Sequence, residues 1–217
     1  MTAAEFIRAH TALAHPALTP ELSLWSATEI TPLWQATEAW LAARDLAPPF
    51  WAFAWPGGQA LARHVLDHPG LVAGRRVLDF AAGGGIAAIA CARAGAAAVT
   101  AAEIDPLGRA AIALNAAENG VAVTVAAADL VGAPGDWDLI LAGDVCYEAP
   151  MTARILPWLR DLARRAEVIL ADPGRAYLPT GLAALARYRV PTTRELEDRE
   201  TREVTLYRLD PNYIPEG

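Results

Sequence analysis

From Arg76 onward, short apolar runs alternate with stretches whose apolar residues recur every three or four positions. The short runs predict strands at 76–80, 98–103, 121–127, 138–142 and 167–171. The stretches between them predict helices at 86–94, 107–119 and 151–164, the second ended by Gly120. Strand–helix repetition with short apolar strands implies a mostly parallel sheet with helices on both faces. The tail departs from that rhythm. Residues 177–187 read as a helix, 188–193 as a strand and 202–209 as a partly exposed strand. The charged stretch Glu195–Glu200 between the last two is too short for a parallel crossover, so they should pair antiparallel. The expectation is a doubly wound α/β fold: a seven-stranded, mostly parallel sheet with an antiparallel C-terminal strand and an N-terminal helical extension.

The first 70 residues follow another pattern. An amphipathic helix is expected over 2–15, and Pro16 and Pro20 break the chain after it. Residues 22–40 are mixed, with a helical stretch running on to Ala43 and ending before Pro48-Pro49. An aromatic run from Phe50 to Trp55 closes on Pro56-Gly57-Gly58, and a helix should follow from Gln59 to about Asp67. One domain is expected over 1–217, with 1–70 as an extension or lid and first helix and 71–217 as a Rossmann-like core; 217 residues suit one well-packed domain.

Composition narrows the class. Hydrophobic residues make up 54% of the chain, much of it Ala, but no apolar run approaches the roughly 18 residues of a membrane span. Glu5, Arg8 and His10 interrupt the first 15 residues, which therefore do not read as a secretory signal, and a cytoplasmic location is the expectation. Cys91 and Cys146 form no Cys-x-x-Cys or Cys/His cluster, so neither a disulfide framework nor a metal is expected. A net charge of −7 argues against a nonspecific nucleic-acid grip. All 18 basic residues are Arg, a bias that a GC-rich genome produces. His10, His15, His64 and His68 all precede the sheet and show no triad or metal spacing.

The chemistry concentrates where strands end. Val77-Leu78-Asp79-Phe80-Ala81-Ala82-Gly83-Gly84-Gly85 lies at a strand-to-helix turn, where small residues and free helix N–H groups admit a ligand. Gly83-x-Gly85-x-x-Ala88 also satisfies the dinucleotide pattern, and Glu103 stands about 20 residues after the glycines, where a ribose-binding acid belongs in either case. Asp79 separates the two: a carboxylate there repels a pyrophosphate and suits a ligand with an ammonium and a sulfonium, such as S-adenosylmethionine. It could also merely cap the loop backbone. Asp129 follows the third strand, where it could accept from an adenine amino group while Leu130 packs on the ring. Acids at three successive strand ends weigh more than a glycine turn alone, because ligands of open α/β sheets bind beyond those ends. Asp105 reads as a helix cap and Asn119 as a helix end.

With these residues in place the chain resembles the class I, seven-strand methyltransferases, except that the family usually has Gly where this chain has Ala81. Asp144-Val145-Cys146-Tyr147 matches the Asp-x-x-Tyr motif of the protein-lysine methyltransferases among them. The run from Pro49 to Arg63 looks like the opening of the electron transfer flavoprotein β-subunit lysine methyltransferases. His15-Pro16, Pro20-Glu21-Leu22 and Asp172-Pro173-Gly174-Arg175 extend that likeness from about His15 to Leu209. The resemblance implies S-adenosylmethionine as cofactor and the flavoprotein β subunit as protein substrate, with no nucleic-acid or membrane partner. It implies Asp144 and Tyr147 as catalytic residues. Trp55, Asp79, Ala81, Gly83, Gly85, Glu103, Ile104, Asp129, Leu130 and Asp144 would hold the cofactor. Tyr147 and Trp55 would form aromatic walls, although Tyr147 could instead face the core, and Trp51 and Phe53 are expected to pack there. Three alternatives stand beside this. A ribosomal protein L11-type methyltransferase would carry an Asn-Pro-Pro-Tyr motif where this chain has Gly143–Tyr147. An NAD(P)-dependent oxidoreductase would need a catalytic Tyr/Lys or His arrangement, but the chain has no Lys and no His after His68. The third is a noncatalytic binding module.

Overall fold

The computed structural model describes residues 1–29, 31–33 and 48–212. The helical stretch expected up to Ala43 lies outside the described residues. Helix α1 (Ala3–His10) begins with a reciprocal cap, Thr2 accepting from the Glu5 N–H while the Glu5 carboxylate accepts from the Thr2 N–H. It is shorter than the predicted 2–15, because the chain turns into β1 (Ala12–Ala14), which pairs antiparallel with β2 (Leu24–Ser26). Helix α2 (Pro56–Asp67) opens with Pro at its first position, where no N–H is missed.

The remaining elements follow in order: β3 (Arg76–Phe80), α3 (Ile86–Arg93), β4 (Ala98–Ala102), α4 (Pro106–Glu118), β5 (Thr124–Ala126), β6 (Leu139–Gly143), α5 (Ala149–Leu162), β7 (Glu167–Asp172), β8 (Ala183–Pro191), α6 (Arg194–Glu197) and β9 (Thr201–Arg208). They build a seven-stranded sheet in the order β5-β4-β3-β6-β7-β9-β8. The strands from β5 to β7 are parallel, while β9 runs antiparallel to both of its neighbours. The sheet and its antiparallel end are those the pattern predicts.

The predicted helix over 177–187 is not there. Gly181 takes a positive φ of 80°, and the chain enters β8 at Ala183. Alanine-rich sequence favours a helix locally, but pairing with β9 along residues 183–191 overrides it. The predicted charged loop at 195–200 contains the end of the short helix α6.

Side-chain alternation splits the core between the two faces of the sheet. Val77, Leu139, Leu141 and Ile169 face α2 and α3, together with Leu61, Val65 and Ile89. Leu78, Ile140, Val168 and Leu170 face α5, where they meet Trp158, Leu159 and Leu162. The chain order reverses between β3 and β6, which lie side by side. That switch point is where an open α/β sheet leaves a crevice, and the turns after both strands open there.

Candidate active site

The turn after β3 is shaped by backbone as much as by side chains. Ala81, Gly83 and Gly85 all have positive φ, at 55°, 54° and 82°. Gly84 is required for packing: a Cβ there would lie 2.8 Å from the Trp51 carbonyl oxygen. Asn115, fully buried on α4, donates to the Gly84 carbonyl at 2.9 Å and accepts the Trp25 N–H at 2.7 Å. It pins the glycine turn to the N-terminal extension.

Two carboxylates serve this turn. Asp79 is 3% exposed and accepts the Ala88 N–H on α3 at 2.9 Å. Burial pushes its pKa up to about 7, partly opposed by that bond. It does bond helix backbone, as the capping alternative supposes, and it also lines the cavity described below. Glu103, just past β4, accepts the Gly83 N–H at 2.8 Å through one oxygen and the Asp105 N–H at 2.9 Å through the other. Its pKa is raised as well, mainly by burial. Asp105 caps α4 by accepting the Leu107 N–H.

The turn after β6 is held from farther away. Asp144 has a φ of 54°, uncommon outside Gly though Asp tolerates it. Its Oδ2 accepts the Gly57 N–H at 2.6 Å and its Oδ1 accepts Arg175 Nη2 at 3.0 Å. A Cβ on Gly57 would fall 2.4 Å from that Oδ2, so the close approach of α2 needs glycine. Burial raises the Asp144 pKa to about 6, with the Arg175 guanidinium opposing the rise. Cys146 is buried, and desolvation pushes its thiol up to about 12, which leaves it an inert thiol.

A cavity of about 500 Å³ joins the two turns. Asp79, Ala81, Gly83, Glu103 and Ile104 line one end; Trp55, Asp144, Tyr147 and Arg175 line the other. Phe50 lies between Trp55 and Tyr147, its ring 6.0 and 5.9 Å from theirs. The Trp55 indole N–H donates to the Phe50 carbonyl at 2.8 Å, and the Arg175 guanidinium sits 6.0 Å from the Trp55 ring centre. Tyr147 is 38% exposed and so stands at the mouth instead of in the core, whereas Trp51 is buried. Gly85 shapes the turn without lining the cavity. Asp129 and Leu130 do not line it either. Asp129 pairs with Arg154 and accepts the Val131 N–H, while Leu130 packs beside the α5-facing core. Among the described residues, no cluster of three His, Cys, Asp or Glu side chains gathers to hold a metal ion.

Sequence reasoning passes over Asn115, Phe50 and the role of Arg175. Asn115 carries a faint signal, an amide inside an otherwise apolar helical face. Arg175 lies in a motif that speaks only through family likeness, with nothing local to connect it to Asp144.

A switch-point cavity with buried acids and an aromatic mouth, on this sheet order, defines the seven-strand methyltransferase class. A magnesium protoporphyrin IX methyltransferase from Synechocystis, solved with bound SAM, shares the fold at a TM-score of 0.52 and 22% identity, over 70% of this chain and 79% of that one. The pattern of the ribosomal protein L11 methyltransferase (PrmA) family matches residues 61–145. The electron transfer flavoprotein beta subunit lysine methyltransferase of Xenopus laevis is 37% identical over 95% of this chain and 86% of its own length. That of Danio rerio is 36% identical over 89% and 77%. The chain belongs to the electron transfer flavoprotein β-subunit lysine methyltransferases.

Proposed function

We propose that this enzyme takes S-adenosylmethionine at the β3–β4 end of the cavity and methylates lysine side chains of the electron transfer flavoprotein β subunit at the other. One observation carries the reading: a single cavity joins Glu103 and the glycine turn to Asp144 and the aromatic mouth. The residues suit the cofactor. A Cβ on Gly83 would meet only ordinary contact, its nearest neighbour being Trp51 Cα at 3.8 Å, so its positive φ and not crowding calls for glycine. Glu103 has spent one bond on each oxygen and keeps capacity for both ribose hydroxyls. Asp79 offers a buried negative charge to an ammonium. Ala81, Gly85 and Ile104 shape the backbone and rim around the nucleoside. Asp129 and Leu130 stand outside the cavity, so they would reach the adenine only where the Asp129–Arg154 pairing opens.

The bound donor supplies a methyl group on a positively charged sulfur. The chain's part would be to hold in line a lysine amine that has given its ammonium proton to solvent, so that the C–N bond could form as the C–S bond breaks and the positive charge pass from sulfur to nitrogen. Asp144 orients the amine. Trp55, Phe50 and Tyr147 strip water from the lysine, which lowers its pKa, and their faces favour cationic donor and product. The ribosomal protein L11 methyltransferase family pattern matches residues 61–145, which hold the glycine turn, Glu103 and Asp144 but not Trp55, Tyr147 or Arg175.

The test incubates the purified protein and labelled donor with the flavoprotein β subunit or with ribosomal protein L11, followed by mass spectrometry. Methyl-lysine on the flavoprotein subunit is expected. Label on L11 alone overturns the substrate. Because the sequence contains no Lys, the enzyme's own band should stay unlabelled at lysine, which gives an internal control.

A further inference from the structure

Behind the cavity wall stands a row of charges that donor and acceptor binding leave unused. Glu197, the last residue of α6, is 3% exposed. Its Oε1 accepts Arg175 Nη2 at 2.5 Å, and its Oε2 accepts Arg175 Nη1 at 3.2 Å and Arg202 Nε at 2.8 Å. Arg175 therefore gives Glu197 a two-bond, fork-to-fork pairing, the strongest that these groups form. Asp144 receives only one bond from the same guanidinium, the 3.0 Å contact to Oδ1. With Oδ2 on Gly57, Asp144 has used two of about four acceptor positions among the described residues. Its side chain keeps 12% of its surface accessible, and it lines the cavity.

We propose that Glu197 is a positioning residue that restrains Arg175, keeping the guanidinium from closing on Asp144 and so preserving acceptor capacity there for the substrate amine. The inference rests on the reading of Asp144 as the carboxylate of the acceptor end. Arg202 fixes Glu197, Glu197 fixes Arg175, and Arg175 is left with one hand on Asp144. Released from Glu197, the planar guanidinium would keep its bond to Asp144 and be free to add a second there. An incoming lysine would then have to displace it.

The groups facing Asp144 give the restraint a measurable signature. Arg175 and Asp172 approach from the end of β7, the Gly57 N–H from α2, and Cys146 from Asp144's own loop; Glu197 and Arg202 stand behind Arg175. If Glu197→Gln frees Arg175 for Asp144, the Asp144 midpoint falls. Arg175→Gln removes the opposing cation, so the midpoint rises. Loss of the Glu197 charge would itself lower the midpoint, so that fall counts only beside the rise in KM and the opposite shift in the charge-keeping Glu197→Asp.

The experiment follows the Asp144 carboxyl by carbon-13 titration in the ligand-free protein, assigned with Asp144→Asn, beside steady-state kinetics on the flavoprotein β subunit. Glu197→Gln should lower the midpoint and raise KM for the protein substrate about fivefold or more, with kcat and donor affinity within about twofold. Arg175→Gln should raise the midpoint. Glu197→Asp, which keeps the charge but draws Arg175 back by one methylene, should also raise it, and it serves if the Gln variant does not fold. A midpoint that rises or stays put in Glu197→Gln, or one that falls or stays put in Glu197→Asp, overturns the proposal. A wild-type enzyme inactive on the flavoprotein subunit would refute the substrate reading alone, since the titration needs no substrate.

Discussion

Strands β3 and β6 run side by side, and each leaves the sheet through one non-glycine residue in the left-handed region, Ala81 at φ 55° and Asp144 at φ 54°. Beyond that common geometry the two turns are held by different means. The β3 turn is secured mostly by neighbours in sequence: Asp79 reaches the Ala88 N–H nine residues on, and Glu103 the Gly83 N–H twenty back. The β6 turn is secured from a distance. Asp144 meets Gly57 across 87 positions and Arg175 across 31, and Arg175 meets Glu197 across 22. The donor side thus takes both of its carboxylate bonds from within twenty residues and adds one remote tie, Asn115 to Gly84, whereas both side-chain bonds of Asp144 come from remote segments. One donor molecule serves a whole class of enzymes, but each protein substrate needs its own mouth, so the part assembled from remote segments is the part free to vary.

Removing the key side chain on each side should break the cavity into its two functions. Asp144→Ala is expected to lower kcat by about two to three orders of magnitude, with donor affinity by calorimetry close to wild type and the fold retained by circular dichroism. Full activity in that variant would remove Asp144 from the site. Glu103→Ala should do the reverse. Loss of two charge-assisted bonds to ribose hydroxyls should weaken donor binding about a hundredfold, while kcat at saturating donor falls much less. Unchanged donor affinity would mean that Glu103 serves only Gly83 and Asp105.

The same contrast decides how much of each half is legible in the sequence. The five parallel strands and the acids at the ends of β3 and β4 follow from periodicity and strand-end position, because a parallel sheet places every such end on one rim. The Asp144 loop is legible only through likeness to known motifs. Nothing near it in sequence announces Gly57 or Arg175, and Glu197 reads as one more charge in a solvated loop. Residues 183–187 mislead for a related reason: helix propensity is a local property, whereas the pairing that makes β8 depends on β9, more than a dozen residues away. Asn115 shows the limit on the donor side, where a tertiary tie to Trp25 and Gly84 passes as an ordinary helical position.

A smaller effect sharpens the donor side by pH. The Asp79 pKa is about 7 in the fold against an ordinary 3.8, with burial as the main cause. The folded state therefore holds a proton that the unfolded chain has released, and stability falls as pH rises between those values. Asp144, raised to about 6, acts in the same direction over a narrower window. In Asp79→Asn the decline of folding stability between pH 4 and 7, measured by denaturant titration, should be shallower than in wild type. Donor affinity should climb toward pH 7 in wild type, as Asp79 ionises to meet the ammonium, and that climb should flatten in the variant. Identical slopes in both proteins would show that Asp79 does not titrate in this range.

The slightest change tests whether the β3 turn is as local as it looks. Ala81 sits where glycine is the comfortable residue, and an L side chain in that region costs about 1–2 kcal/mol. Its methyl is exposed, so it returns little by packing. Ala81→Gly relieves the strain but loosens the unfolded chain, a loss of about 0.4–1 kcal/mol. The balance predicts a gain of about 0 to 1.6 kcal/mol, or up to a few degrees in Tm for a domain of this size. Donor affinity should change by no more than about threefold, because the methyl borders the cavity without offering a polar contact. Thermal melts and calorimetry on the one variant check both numbers. A loss of more than about 1 kcal/mol would mean that the methyl is held by contacts beyond its own turn. The β3 side would then depend on remote packing as the β6 side does, and the division between a local donor half and an assembled acceptor half would fail at its simplest residue.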